Sequence, residues 1–305
     1  MNLYLAAAED ARRIGAIHSS TLPGKTPCFL SSYYYSKFTA SKKENASWLG
    51  CYDKLRPCNW ILDSGLFTMM FGAGKGIKRS SEELRKYTLD YIRYLKEIEY
   101  GHYCVEMDVH KILGLKELAE FRGIFEDKWD VNRTIFVWHI EEGIEGLINL
   151  ANRYPYIAIS IPELRILAQK NQASLRAMLY SLFETIRSNT TRYPKIHLLG
   201  CTQVDLMMSG KYTSCDSTSW QSGVIFDKVL VFDGKRMVQA SQYSKAYREF
   251  RDSNTPRLVA GYRSFERLSG FKMAEAAYWI DAGLQAHSFK RLEKYVNKQF
   301  YSGIQ

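Results

Sequence analysis

The chain has 305 residues, 46% of them hydrophobic, enough to bury a large core, and that length fits one α/β barrel better than two unrelated domains. Lys and Arg outnumber Asp and Glu by 42 to 32, so the sign of the charge suits a polyanionic partner without naming one. The scattered cysteines (Cys28, Cys51, Cys58, Cys104, Cys201, Cys215) indicate neither a zinc knuckle nor a disulfide framework, and no leader or bilayer-length apolar run is read, so a soluble, cytoplasmic chain with no membrane partner is expected.

Leu3 to Ala8 reads as a first strand, and residues 9–58 follow with weak periodicity, as an irregular N-terminal insertion. Within it, Tyr33-Tyr34-Tyr35 could stack on bases, although buried packing is the commoner use of clustered tyrosines. Trp60-Ile61-Leu62-Asp63 is a buried strand that runs into an acid and a Ser64-Gly65 turn. The glycine-rich basic loop from Phe71 to Arg79 contains Lys75, Lys78 and Arg79. It is not a P-loop, because Gly76 follows Lys75 where Ser or Thr should stand; a phosphate-touching loop and a plain surface loop both remain open.

Ser80-Ser81-Glu82-Glu83 then caps a helix whose apolar stripe is Leu84, Tyr87, Tyr91 and Leu95. Strands at 103–108, 134–139, 156–161, 195–201 and before Asp216 alternate with helices at 115–129, 144–154, 173–187 and 204–209. This alternation predicts right-handed βαβ units and an eight-fold TIM-type (β/α)8 barrel, a single domain over 1–305. Seven strands are legible, and Leu258 to Tyr262 is the candidate for the eighth. Asp233-Gly234 between two apolar runs predicts a β-hairpin near 229–238. Residues 263–305 read as a C-terminal helical extension with Lys290, Arg291 and Lys294 clustered, candidates for phosphate contact, although a solvated helix face is the commoner reading.

In a barrel, Asp63, Asp108, His139 and Asp216 all fall at the carboxyl ends of strands, where such folds carry their chemistry. Each aspartate alone is ordinary turn chemistry, and together they form the signal. Asp63-Ser64-Gly65-Leu66-Phe67-Thr68 resembles the Asp-Ser-Gly-Gly-aromatic-Gln motif of the tRNA-guanine transglycosylases. Leu199-Gly200 followed by Asp216-Ser217 resembles their Leu-Met-Gly and Phe-Asp-Cys segments, and the hairpin is similar to their Asp-Gly-Arg turn. The likeness is ordered over roughly residues 60 to 250. It departs from the family after the hairpin, where Gln239 to Tyr247 has no cysteine in place of the zinc subdomain, and at Thr218-Ser219-Trp220, which replaces Pro-Thr-Arg. A zinc-free, shorter version is most similar to the phage and bacterial DpdA-type DNA 7-deazaguanine transglycosylases.

The resemblance implies a pentosyltransferase that exchanges guanine for a free 7-deazaguanine base (preQ0- or preQ1-like) in DNA, by double displacement through a covalent sugar–Asp intermediate, with no cofactor or metal. A phage-encoded chain would act in the host cytoplasm. By the same resemblance Asp216 is the nucleophile, Asp63 the general acid and base, and Asp108 the reader of the base edge, with Phe67 stacking and Ser64 and His139 contributing to the base site. For His139 a core or capping role reads equally well. A tRNA substrate, a catalytically silent nucleic-acid-binding barrel and a glycoside hydrolase with two carboxylates are the competing readings; sequence preference and oligomeric state are not legible.

Overall fold

The computed structural model describes residues 1–39, 42–71, 79–221, 229–241, 244–273 and 277–301. Eight parallel strands close into a barrel in chain order: β1 (Asn2–Leu5), β2 (Cys28–Ser32), β3 (Asn59–Asp63), β4 (Tyr103–Val105), β5 (Thr134–Trp138), β6 (Tyr156–Ser160), β7 (Lys195–Leu199) and β8 (Ser214–Ser217). The strands are short, and β5 and β6 are mainly apolar on both faces, because a parallel barrel is packed inside and covered by helices outside. Ile157, Ala158, Ile159, Ile196 and Leu198 are accordingly buried.

The chain divides into two compact units, Met1–Ser31 with Ala40–Trp60 and Gly200–Gln305, and Ser32–Thr39 with Ile61–Leu199. In the first unit β1 pairs in parallel with β8, Asn2 opposite Ser214 at one end and Leu5 opposite Ser217 at the other, and Leu5 pairs with Phe29 of β2. In the second, β3 to β7 pair successively, with Ile157 opposite both Phe136 and Ile196.

The eighth strand corrects the sequence reading. It is β2, inside the stretch 9–58 expected to be irregular, which holds the helix Ala11–Ser20, β2 itself, a π-helical turn Tyr34–Thr39 and the helix Lys42–Lys54. Asp10 caps the first of these helices, its side chain accepting the backbone N–H groups of Arg12 and Arg13. Residues 258–262 are not a strand: they lie within the helix Lys245–Ser269, which contains Pro256. The hairpin does form, Val229–Phe232 antiparallel to Met237–Ala240, with Gly234 at φ +109 and the Asp233 carboxylate accepting the N–H groups of Lys235 and Arg236.

The helix Ser81–Glu97 shows how local sequence places a layer of the second unit. The Ser80 hydroxyl accepts the Glu83 N–H while Glu83 accepts the Ser80 N–H, and Leu84, Tyr87, Tyr91 and Leu95 are buried. Tyr91 donates its hydroxyl to the Leu62 carbonyl at 2.7 Å, tying the helix to β3. Tyr33 packs on Tyr87, Tyr91 and Tyr94, so the first of the triple tyrosines is core, and Tyr34 is also buried. The six cysteines are free and buried. No described helix is long and apolar enough to cross a membrane.

Candidate functional site

In the second unit, β3 ends on Asp63, whose Oδ1 accepts the Gly65 N–H at 2.6 Å. That turn requires glycine: Gly65 has φ +80, and a β-carbon there would stand 2.4 Å from Tyr34 Cβ and 2.6 Å from Ser32 Oγ. Ser64 is buried, and its carbonyl accepts the Tyr87 hydroxyl at 2.7 Å. Two residues beyond the glycine, Phe67 is 72% exposed, an aromatic face presented at the carboxyl end of the strand.

The ends of β4, β5 and β6 build a denser cluster. Asp108 follows β4; its Oδ1 is 2.8 Å from Nδ1 of His110 and 3.1 Å from Nε2 of His139, the residue that follows β5. The two imidazoles stack with centroids 3.4 Å apart. Glu163, on the helix Ile161–Leu167 that Ser160 caps, brings one carboxylate oxygen within 3.7 Å of His110 Nε2 and the other within 3.9 Å of His139 Nδ1. Lys111 bonds Glu141, which itself lies 3.8 Å from His110. Both histidine side chains are almost wholly buried, whereas the Asp108 side chain keeps 33% of its surface exposed.

The electrostatics follow from this packing. Burial acts to push the Asp108 carboxyl up, but the adjacent rings of His110 and His139 outweigh it and hold the group below its ordinary value. Burial acts to lower His139, yet the Asp108 and Glu163 carboxylates raise it to about 9. Beneath the cluster Glu106 is fully buried; burial pushes its carboxyl up to about 7 against the pull of Arg122, whose guanidinium also reaches Glu142 and the Val137 carbonyl.

In the first unit, the Asp216 side chain lies near the carboxyl end of β8, in a residue 9% exposed, and its Oδ1 accepts the Gly200 N–H at 2.9 Å. Gly200 directly follows β7 and sits at φ +64, so the chain turns there in a conformation that favours glycine. Behind the acid, the Ser217 hydroxyl accepts the Ser219 N–H, and Trp220 is buried with its indole N–H donating to the Ala6 carbonyl at 2.8 Å. The segment Thr218-Ser219-Trp220 therefore anchors the end of β8 to the residue after β1.

The basic candidates fare differently. Lys290 is 2% exposed; its Nζ donates to the Leu3 carbonyl at 2.6 Å and lies 3.3 Å from Glu293, so it is a core group and not a phosphate contact. Arg291 lies 6.0 Å from the ring centroids of Phe232 and Phe250, and Lys294 is exposed. Arg79 is half-buried just before the helix cap, and Lys75 and Lys78 lie outside the described residues. Sequence reasoning missed His110, Glu163, Glu106 and Arg122. The legible signal for His110 was its place two residues after the Asp108 strand end. Compared with known proteins, the chain matches no family model and no curated protein.

Proposed function

We propose that the protein is a nucleic-acid base-exchange enzyme that replaces guanine with a 7-deazaguanine in DNA. The observation that carries this reading is the Asp216 carboxylate, placed at a barrel strand's carboxyl end and held by the N–H of Gly200, the pair of residues in which the sequence resembles the transglycosylases. A carboxylate fixed by a backbone donor is pre-oriented for attack on C1′, where it would hold the sugar covalently while one base leaves and another enters.

In this reading Asp63, oriented by the Gly65 N–H, protonates the departing base at N9 and takes the proton from the incoming one. The exposed ring of Phe67 offers a stacking face, and the exposed part of Asp108 accepts the N–H donors of a guanine-like edge, with Ser64 and His139 lining the base site. A base within a duplex is out of reach, so the enzyme flips it or takes single strands, and the net charge of +10 favours the phosphate contacts that offset a cost of a few kcal/mol. Exposed Lys294 is a better candidate for such contacts than Lys290.

The test is incorporation. Purified protein is given radiolabelled guanine with single-stranded DNA, duplex DNA or tRNA, and label retained in the polymer is counted. Label in DNA is expected; label in tRNA alone moves the enzyme to RNA; label in neither removes the reading.

A further inference from the structure

We propose that Asp108, His110 and His139 form a binding site for a divalent first-row transition ion, with Glu163 at its edge. Two ring nitrogens and a carboxylate oxygen lie within 4.8 Å of one another, a donor set of two imidazoles and one carboxylate. The spacing is informative. Ligands 2.1 Å from an ion and 90° apart stand about 3.0 Å from each other, whereas tetrahedral ligands at that length stand about 3.4 Å apart. The Asp108 Oδ1 to His110 Nδ1 distance is 2.8 Å and that to His139 Nε2 is 3.1 Å, so both separations match neighbouring ligands of a six-coordinate ion, as manganese(II) or iron(II) prefers.

Unsatisfied polar atoms supply an independent observation. His139 is 1% exposed, yet among the described residues neither of its ring nitrogens has a hydrogen-bond partner, because its 3.1 Å approach to Asp108 lacks hydrogen-bond geometry. His110 Nε2 and Glu163 Oε2 are likewise buried and unpartnered. Buried polar atoms normally find partners, and leaving several together costs free energy that a shared ligand would recover. Charge points the same way. The carboxylates of Asp108, Glu141 and Glu163 outnumber the Lys111 ammonium by two around the two imidazoles, an acidic setting that suits a divalent cation. Glu106 is not part of this sum, being paired with Arg122. An ion on the inner carboxylate oxygen leaves the exposed part of Asp108 to a ligand, and the inference does not depend on base exchange.

The full-length protein, stripped with chelator and exchanged into metal-free buffer, is titrated with Mn2+ while free ion is followed by electron paramagnetic resonance. No nucleic acid is present, so failure of base exchange leaves the result unaffected. One Mn2+ bound per chain is expected, with His110→Gln and His139→Asn each weakening it at least tenfold and Asp216→Asn leaving it unchanged. Circular dichroism identifies any variant that has not folded. Absence of saturable binding by the unmutated protein to Mn2+ and, in a parallel calorimetric titration, to Zn2+ overturns the proposal. So does binding that folded His110→Gln and His139→Asn proteins retain in full.

Discussion

The guanidinium Nε of Arg122 lies 3.2 Å from both carboxylate oxygens of Glu106, and both residues are buried. Glu106 also accepts the Val137 N–H at 2.7 Å, and Arg122 donates to the Val137 carbonyl at 2.8 Å, so the pair holds the carboxyl-terminal part of β5 beside the residue that follows β4. Removing the cation alone leaves an uncompensated buried charge. Arg122→Met is expected to cost about 3–5 kcal/mol, whereas Glu106→Gln, which keeps the shape and a hydrogen bond, costs about 1–3 kcal/mol. Urea unfolding of the two variants checks the order.

A second buried pair makes Lys290 a stability residue. Leu3 of β1 gives its N–H to Glu293 at 2.7 Å and its carbonyl to Lys290 at 2.6 Å. Lys290→Met is expected to destabilise the protein by about 3–5 kcal/mol, because the buried Glu293 carboxylate loses its cation. Lys294→Glu, at an exposed position, is expected to stay within about 0.5 kcal/mol and to weaken DNA binding instead. Thermal denaturation beside a binding titration separates the two effects.

Gly65→Ala combines a strained φ with an overlap against Tyr34 and Ser32. A loss of about 2–4 kcal/mol is expected from the backbone strain and overpacking together. Since the Gly65 N–H orients Asp63, exchange activity is expected to fall further than the folded fraction does, which a rate measured per folded molecule tests.

Acid stability turns on two histidines of the first unit. Burial lowers the pKa of His18, whose Nδ1 has no hydrogen-bond partner among the described residues. Burial also lowers that of His287, assisted by the charges of Arg257 and Arg291 and opposed by the Ser20 carbonyl. A depressed folded value means that the unfolded chain binds more protons, so the stability is present above the ordinary value of 6.5 and is lost as pH falls through the folded values. Stability measured from pH 7.5 downwards is expected to decline below about 6.5, and His18→Phe, which stays against Phe265, flattens part of that decline.

Much of the barrel was legible because its helices and strands obey their own periods. Ser80 and Glu83 announce a cap, and Ile157-Ala158-Ile159 announces a buried strand. The eighth strand was hidden because Cys28–Ser32 offers five residues with no alternation, all of them buried. Ser253-Asn254-Thr255-Pro256 carries turn chemistry, yet it sits inside a helix. The side chains of Ser253, Asn254 and Thr255 each bond a carbonyl four residues back, supporting the ladder around a proline that normally breaks it. At the candidate site, the strand-end acids could be read one by one. Their partners come from other elements and are adjacent only in three dimensions: Asp108 meets His139 from the end of β5, and His139 meets Glu163 from the helix after β6.

The most direct measurement for the proposed base exchange is the covalent adduct. Wild-type protein and Asp216→Asn are each incubated with guanine-containing DNA, denatured, and resolved from free nucleic acid. A denaturation-resistant protein–DNA species is expected from the wild type and none from Asp216→Asn, because an amide is a poor nucleophile at C1′, while binding of DNA by the variant is retained. An adduct of equal yield from Asp216→Asn contradicts the assignment of the nucleophile, and label exchange into DNA that proceeds normally in that variant contradicts the mechanism as a whole.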